Sequence, residues 1–101
     1  MRQITIDSIR AFSWNLKFKR QNMEVRFYDG GNTPESWFCR LLLHGNIIAE
    51  KDETGFYISS CGWLTNTTKE RLNGFSDVHI QQQDFTWYLN GKIWNGQRIK
   101  V

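Results

Sequence analysis

The sequence predicts an α+β domain, in which an antiparallel, mostly hairpin-connected sheet of about six to eight short strands packs on one short helix at about residues 66–73. Three observations support this prediction. Most of the chain alternates between apolar and polar residues, and turn-forming residues separate the alternating segments. Only residues 63–75, W-L-T-N-T-T-K-E-R-L-N-G-F, combine several helix signals. A chain of 101 residues can form a core without disulfides or metals, so one domain over residues 1–101 is expected.

The N-terminal part of the chain is predicted to form strands. Residues 2–9 alternate loosely and are compatible with a first strand. Residues 12–19, F-S-W-N-L-K-F-K, alternate strictly, which is typical of a half-buried strand. A polar turn at residues 19–22 precedes another alternating segment, residues 23–28. These two segments should therefore pair as an antiparallel hairpin.

The middle of the chain predicts the centre of the sheet. The longest cluster of turn residues, D-G-G-N-T-P at residues 29–34, contains the only proline. Residues 37–43 are apolar on both faces apart from Arg40, which predicts a central strand covered on both sides. Residues 47–50 should return beside it after a tight turn, and residues 56–63 should form the strand that leads into the helix.

The predicted helix has clear start and stop signals. Thr65, Asn66 and Thr67 are all competent N-caps, and Thr67 with Glu70 has the spacing of a capping box. Gly74 can take the left-handed conformation that ends a helix. Since about two helical turns are not stable alone, the apolar side of this helix should pack on the sheet.

The C-terminal part is predicted to form strands at residues 78–83 and 85–89. The Asn-Gly pair at positions 90–91 predicts a type I′ hairpin, because both central positions of that turn need positive φ. A second Asn-Gly pair follows at positions 95–96, after only three residues. One of the two pairs is therefore expected to form a bulge or an exit turn instead of a hairpin.

Composition restricts the class of protein. The formal charge of +3 indicates nucleic-acid binding only weakly, because dedicated binders concentrate their basic residues in a patch. The aromatic fraction of 15% is high, and large rings serve either as core residues or as interface anchors. No apolar run approaches the length of a membrane span, and the N-terminus lacks the apolar region of a signal peptide. A cytoplasmic protein with reduced thiols is expected.

The sequence offers few residues from which to build a catalytic site. Cys39, Cys61, His44 and His79 lack the close spacing of a zinc site, so neither a metal nor a cofactor is predicted. Both cysteines are expected inside strands as small hydrophobic residues. A nucleophile and base formed by Cys61 and His79 would need a geometry that the sequence does not reveal. We therefore expect a protein that is not an enzyme.

Aromatic and basic residues occur together near the helix and the C-terminal hairpin. This combination is typical of a surface that binds a protein or stacks nucleic-acid bases, while a tryptophan-rich core is the structural alternative. The two cations of the helix, Lys69 and Arg71, either contact a partner or are exposed to solvent. The candidate partner-binding residues are Trp94, Tyr88, Lys92, Arg98, Lys69 and Arg71.

Three segments carry a resemblance to known proteins: H-G-N-I-I-A-E at residues 44–50, Y-I-S-S-C-G-W-L-T-N-T-T-K-E-R-L-N-G at 57–74, and I-Q-Q-Q-D-F-T-W-Y-L-N-G-K-I-W-N-G at 80–96. In them a Thr-Thr-x-x-Arg-Leu-Asn helix follows a strand that ends in Gly-Trp, and a Trp-x-Leu-Asn-Gly hairpin comes later. This arrangement resembles a broad group of small phage-encoded accessory proteins of unknown function. Residues 1–36 carry no such resemblance, and the group implies no functional residue.

A phage origin implies a class of function. Small accessory phage proteins without catalytic motifs often resemble stoichiometric inhibitors of host defence, including CRISPR inhibitors, which cover a functional surface of a host enzyme. The resemblance therefore implies a non-enzymatic protein that binds a host defence protein or ribonucleoprotein complex in the cytoplasm of the infected bacterium. A small nucleic-acid-binding module is the alternative. A membrane is not an expected partner, and exposed strand edges leave a homodimer open.

Overall fold

The structure, a computed structural model, describes residues 1–101 and confirms the predicted α+β class. The two α-helices are α1 (Gln3–Ser13) and α2 (Asn66–Leu72), and a 3-10 turn occupies Pro34–Ser36. The nine strands are β1 (Phe18–Arg20), β2 (Met23–Tyr28), β3 (Phe38–Leu43), β4 (Asn46–Asp52), β5 (Gly55–Ile58), β6 (Ile80–Gln83), β7 (Thr86–Leu89), β8 (Lys92–Ile93) and β9 (Ile99–Lys100). Neither helix is long and apolar enough to cross a membrane.

The strands form two antiparallel sheets in place of the single predicted sheet. The six-stranded sheet has the order β1-β2-β3-β4-β5-β9, and the three-stranded sheet has the order β6-β7-β8. An antiparallel hairpin forms with residues 23–28 as predicted, but its first strand is β1 at Phe18–Arg20 instead of residues 12–19, so that Arg20 pairs with Met23 across a two-residue turn. Positions 90–91 form the predicted hairpin turn with φ values of 50° and 87°. Gly96, with φ of 90°, provides the exit turn that leads into β9.

The N-terminal segment is a helix, so the strand predictions for residues 2–9 and 12–19 are wrong. The spacing of the side chains buried in α1 follows the period of a helix: Ile4, Thr5, Ser8, Ala11 and Phe12. The alternating residues Trp14 and Leu16 come after this helix and are 73% and 57% exposed. Phe12 fits both periods, and its contact with the core of the domain decides in favour of the helix.

The core lies between α1 and one face of the six-stranded sheet. Val25, Leu41, Ala49 and Ile58 form one row across β2 to β5 on this face and are all buried. Phe12 of α1 reaches the core and packs edge-on against the ring of Phe75. The helix therefore buries one side of the sheet.

The opposite side of the six-stranded sheet is open. Arg26, Arg40, Glu50, Tyr57 and Lys100 occupy neighbouring positions across five strands, and none of them is buried. The order of strands places β3 at the centre of the sheet as predicted. The prediction that this strand is covered on both sides is wrong, because Arg40 and its neighbours lie on a face that no helix covers.

Helix α2 agrees with the predicted position and differs in its cap. Thr65 is the N-cap, and its Oγ1 accepts a hydrogen bond of 3.2 Å from the Thr68 amide. The capping box predicted for Thr67 and Glu70 does not form, because the Glu70 carboxylate instead accepts a hydrogen bond from Thr5 of α1. Gly74 does not take the predicted left-handed conformation. Glycine is needed there for space, because the two helices are packed together and a Cβ at Gly74 would collide with α1.

The strand predicted for residues 56–63 ends at Ile58. Cys61 therefore lies in a turn, exposed and with φ of 53°, and the prediction that it sits inside a strand is wrong. The prediction that Cys39 lies inside a strand is confirmed, because this residue is buried in β3.

Candidate functional site

Two of the six candidate partner-binding residues lie inside the protein. Trp94 is 2% exposed, its ring centroid lies 6.3 Å from that of Trp87, and its Nε1 donates to the carbonyl of Gln97. Arg71 is also 2% exposed and donates to Glu70. Neither side chain offers a surface to a partner, because each has its polar group bonded within the fold.

The other four candidates do not form one surface. Tyr88 is half-buried on the three-stranded sheet, and Lys92 is exposed at its β7–β8 turn. Lys69 lies on the inner side of that sheet, where its Nζ is 5.9 Å from the centroid of the Trp87 ring. Arg98 belongs to the other sheet, where it bonds to Glu50. The structure therefore separates residues that the sequence places close together.

A residue that the sequence analysis did not single out is the most exposed large apolar side chain of the molecule. Phe85 is 97% exposed and lies in the two-residue turn between β6 and β7, where Gln83 pairs with Thr86. Both turn residues have positive φ, 51° at Asp84 and 67° at Phe85. Positive φ is strained for a bulky residue such as phenylalanine. The strands predicted at residues 78–83 and 85–89 leave only Asp84 between them and put Phe85 inside a strand, and the structure corrects this.

The neighbouring turn of the same sheet has the residue types that usually occupy two positions of positive φ. Asn90 and Gly91 take the same two conformations between β7 and β8, with a glycine where the first turn has Phe85. Glycine takes positive φ at no steric cost. The chain therefore has phenylalanine at a turn position that folding alone would assign to glycine, and this side chain buries almost none of its area in return.

Two further apolar side chains lie on the outer face of the three-stranded sheet. Ile93 is 74% exposed and is the cross-strand partner of Tyr88, so the two side chains share one face. Trp87 and Leu89, which flank Tyr88 in β7, are buried on the other face. Phe85, Tyr88 and Ile93 together are called the Phe85 surface below.

The second exposed region is the open face of the six-stranded sheet, which combines arginines with aromatic rings. The Arg40 guanidinium lies 4.0 Å from the centroid of the Phe38 ring, and that of Arg98 lies 3.8 Å from the centroid of Tyr57. Glu50 fixes both arginines, because its carboxylate accepts hydrogen bonds of 2.5 Å from Arg40 and 3.0 Å from Arg98. Each guanidinium is held flat between a ring and a carboxylate.

Ion pairs set the protonation states of the open face. Burial acts to raise the pKa of Glu50, but the hydrogen bonds from Arg40 and Arg98 outweigh it and the pKa lies below its usual value. The hydrogen bond from Arg26 likewise lowers the pKa of Glu24. Both carboxylates are therefore charged at neutral pH.

The side chains with reactive chemistry are dispersed. Burial raises the pKa of the Cys39 thiol, which makes it a poor nucleophile. Cys61 donates to the carbonyl of Ile47, and His79 pairs with Gln81. No three His, Cys, Asp or Glu side chains are grouped to hold a metal ion. These reactive side chains are therefore not gathered in one site.

Comparison with known proteins adds a family. A family model described as Kyanoviridae Gp96 protein matches residues 1–100. The match is to a phage protein, in agreement with the phage resemblance of residues 44–96, and it includes the first 36 residues, which carry no resemblance of their own. No curated protein and no solved structure matches the chain.

Proposed function

Because the chain belongs to the Kyanoviridae Gp96 protein family, a family of phage proteins, we propose that it is a phage accessory protein that binds a host protein stoichiometrically and acts without catalysis. Its target is a component of an anti-phage defence complex, and it acts by covering a functional surface of that target. This is the mode of action of anti-CRISPR proteins. Binding takes place in the cytoplasm of the infected host.

The Phe85 surface carries this proposal. Phe85 is both strained and exposed, and backbone strain that the fold does not need is commonly retained for function. Aromatic residues are the usual anchors of protein interfaces, where they fill a pocket of the partner. Ile93 and Tyr88 add apolar area on the outer face of the same sheet. A folded protein with an apolar pocket is the partner that fits such a surface.

A nucleic-acid-binding module is the second candidate function. On the Phe85 surface and its turns Lys92 is the only exposed cation, so phosphate groups would find little attraction there. The open face supports this second candidate better, since arginines and aromatic rings occur there together. The two functions therefore depend on different sheets.

The experiment is a tagged pull-down from host lysate, with and without nuclease, read by mass spectrometry. Wild type is compared with Phe85→Gly, and Trp14→Ala serves as the matched control, because Trp14 is also a highly exposed aromatic residue. We expect one host protein or complex to be retained after nuclease by wild type and Trp14→Ala, and to be lost with Phe85→Gly.

Two outcomes would contradict this proposal. Equal retention by Phe85→Gly would show that the Phe85 surface is not the contact. Retention that disappears with nuclease would show that the bound material is nucleic acid, and would favour the second candidate.

A further inference from the structure

We propose that the open face of the six-stranded sheet binds single-stranded nucleic acid, independently of the Phe85 surface and of the function proposed for it. Phosphate groups contact the cations of this face, and bases stack on its aromatic rings.

Three cations of the open face, Arg26, Arg40 and Lys100, lie in one row across the sheet together with Glu50 and Tyr57. Arg26 pairs with Arg40, Arg40 with Glu50, Glu50 with Tyr57, and Tyr57 with Lys100. Neighbouring strands are about 4.8 Å apart, so these five positions span about 19 Å. A linear row of this length suits an extended phosphate backbone better than a single anion.

The strand positions of the open face, with Arg98, have more positive than negative charge. They carry five cations, Lys19, Arg26, Arg40, Arg98 and Lys100, and three acids, Glu24, Glu50 and Asp52. Two further acids, Glu35 and Glu53, lie at the edge of the face beside Arg40. Each of the three acids on the strands is already engaged by hydrogen bonds from its neighbours. Lys19 and Lys100 have no carboxylate partner. This excess is complementary to phosphate.

Accessible rings lie beside this row. Tyr28 is 46% exposed, and its ring centroid is 5.5 Å from that of Phe38 on the next strand. Tyr57 lies further along the same face and is half-buried. Aromatic rings on an open sheet face are what single-strand binding proteins use to stack bases, and guanidinium planes stack in the same way.

The centre of the open face argues against a protein partner. Arg40 and Glu50 occupy the two central strands, β3 and β4, whereas charged residues are depleted from the centre of protein interfaces. The exposed aliphatic residue near this row, Ile47, is only 37% exposed. A polar, cationic centre with rings at its side is instead typical of nucleic-acid interfaces.

Fluorescence anisotropy with fluorescein-labelled 15-nucleotide oligo(U) and oligo(dT) tests this proposal. Each phosphate contact contributes about −0.7 to the slope of log K against log salt, so contacts from all five cations predict a slope of about −3.5. Lys100→Ala should weaken binding and reduce this slope by about 0.7. Lys92→Ala is the matched control, because it removes the same charge from the other sheet and should leave binding unchanged.

Tyr28 tests the stacking contribution. Stacking on one ring accounts for about 1–3 kcal/mol per base, so Tyr28→Ala should weaken binding by about 5- to 150-fold without changing the salt slope. Tyr28→Phe keeps the ring and should bind like wild type. Preference for oligo(U) would identify RNA, and equal affinity would identify a site for either strand type; both support the proposal.

Three results would overturn this inference. The first is the absence of saturable binding at low salt. The second is equal weakening of binding by Lys92→Ala and Lys100→Ala, which would show that affinity depends only on the net charge of the protein. The third is a 15-base-pair duplex that binds as tightly as the single strands. Circular dichroism of each variant confirms that the fold is retained.

Discussion

Arg71 is a buried cation whose partners come from distant parts of the sequence. Its guanidinium donates to the Glu70 carboxylate, to Thr5 in α1 at 3.0 Å and to Asn22 at 3.4 Å. These contacts join α2 to α1 and to the β1–β2 turn. The side chain therefore acts as an internal connection between elements and not as the surface contact that the sequence predicted.

We expect Arg71→Ala to lower the free energy of unfolding by about 1–3 kcal/mol, because it leaves the part-buried Glu70 carboxylate without its charged partner. Lys69→Ala, on the same helix but partly exposed, should change it by less than about 1 kcal/mol. Urea denaturation measures both variants. An Arg71→Ala protein as stable as wild type would show that the buried pair does not stabilise the fold.

The sequence could not place Arg71 inside, for a physical reason. Its burial depends on Thr5, 66 positions away, and Thr5 reaches it only because the N-terminus is a helix. Trp94 was equally ambiguous, since alternation in a two-residue strand does not show which face meets the core. Lys92 lies next to a strong turn signal, and its exposure could be read from the sequence.

Glu50 gives the open face a dependence on pH. The pKa of this carboxyl lies below its usual value of 4.5, so it stabilises the fold above about pH 4.5 and this contribution is lost as the pH falls through the lowered pKa. Glu50→Gln should therefore flatten the fall in unfolding free energy below pH 4.5. Denaturation at about pH 3 to 6 measures the curve. Glu53→Gln, at an exposed position, is the control. A Glu50→Gln protein whose unfolding free energy falls as steeply below pH 4.5 as that of wild type would contradict the assignment.

Among the elements, hairpins were predicted better than helices. Turn residues with special backbone conformations, such as Gly91, mark hairpins locally, and the β1–β2 and β7–β8 hairpins follow from them. Helix α1 has no side-chain N-cap, and residues 12–19, which begin inside this helix and continue past its end, alternate with the period of a strand. Only packing on the sheet distinguishes the two, and packing is not local information.

The observed N-cap of α2 differs from the predicted one. Thr65 accepts from the Thr68 amide, whereas Thr67 makes no capping hydrogen bond. Thr65→Ala should therefore lower the free energy of unfolding by about 0.5–2 kcal/mol, and Thr67→Ala should have little effect. Thermal or urea denaturation compares the two. The opposite order would restore the Thr67–Glu70 capping box that the sequence predicts.

At the scale of the whole molecule, the class was predictable and the division into two sheets was not. Strand β9 pairs with β5, more than 40 positions earlier, and not with the neighbouring β8. Local patterns do not determine such a choice. This pairing leaves β6 to β8 as a separate sheet with the Phe85 surface, while the open face forms on the other sheet. The two candidate surfaces of the molecule are thus a consequence of long-range topology.

The central claim is that Phe85 is retained at the expense of folding stability, for a contact outside the fold. Replacing it by glycine relieves about 1–2 kcal/mol of backbone strain and loses about 0.5–1 kcal/mol through the greater freedom of the unfolded chain. Gly91→Ala is the matched control, because a Cβ there meets nothing within 4 Å and introduces only the strain.

The measurement is urea denaturation of Phe85→Gly beside wild type and Gly91→Ala. The account predicts that Phe85→Gly is more stable than wild type by about 0.5–1 kcal/mol, and that Gly91→Ala is less stable. A Phe85→Gly protein less stable than wild type would contradict the claim, because Phe85 would then contribute to the fold itself.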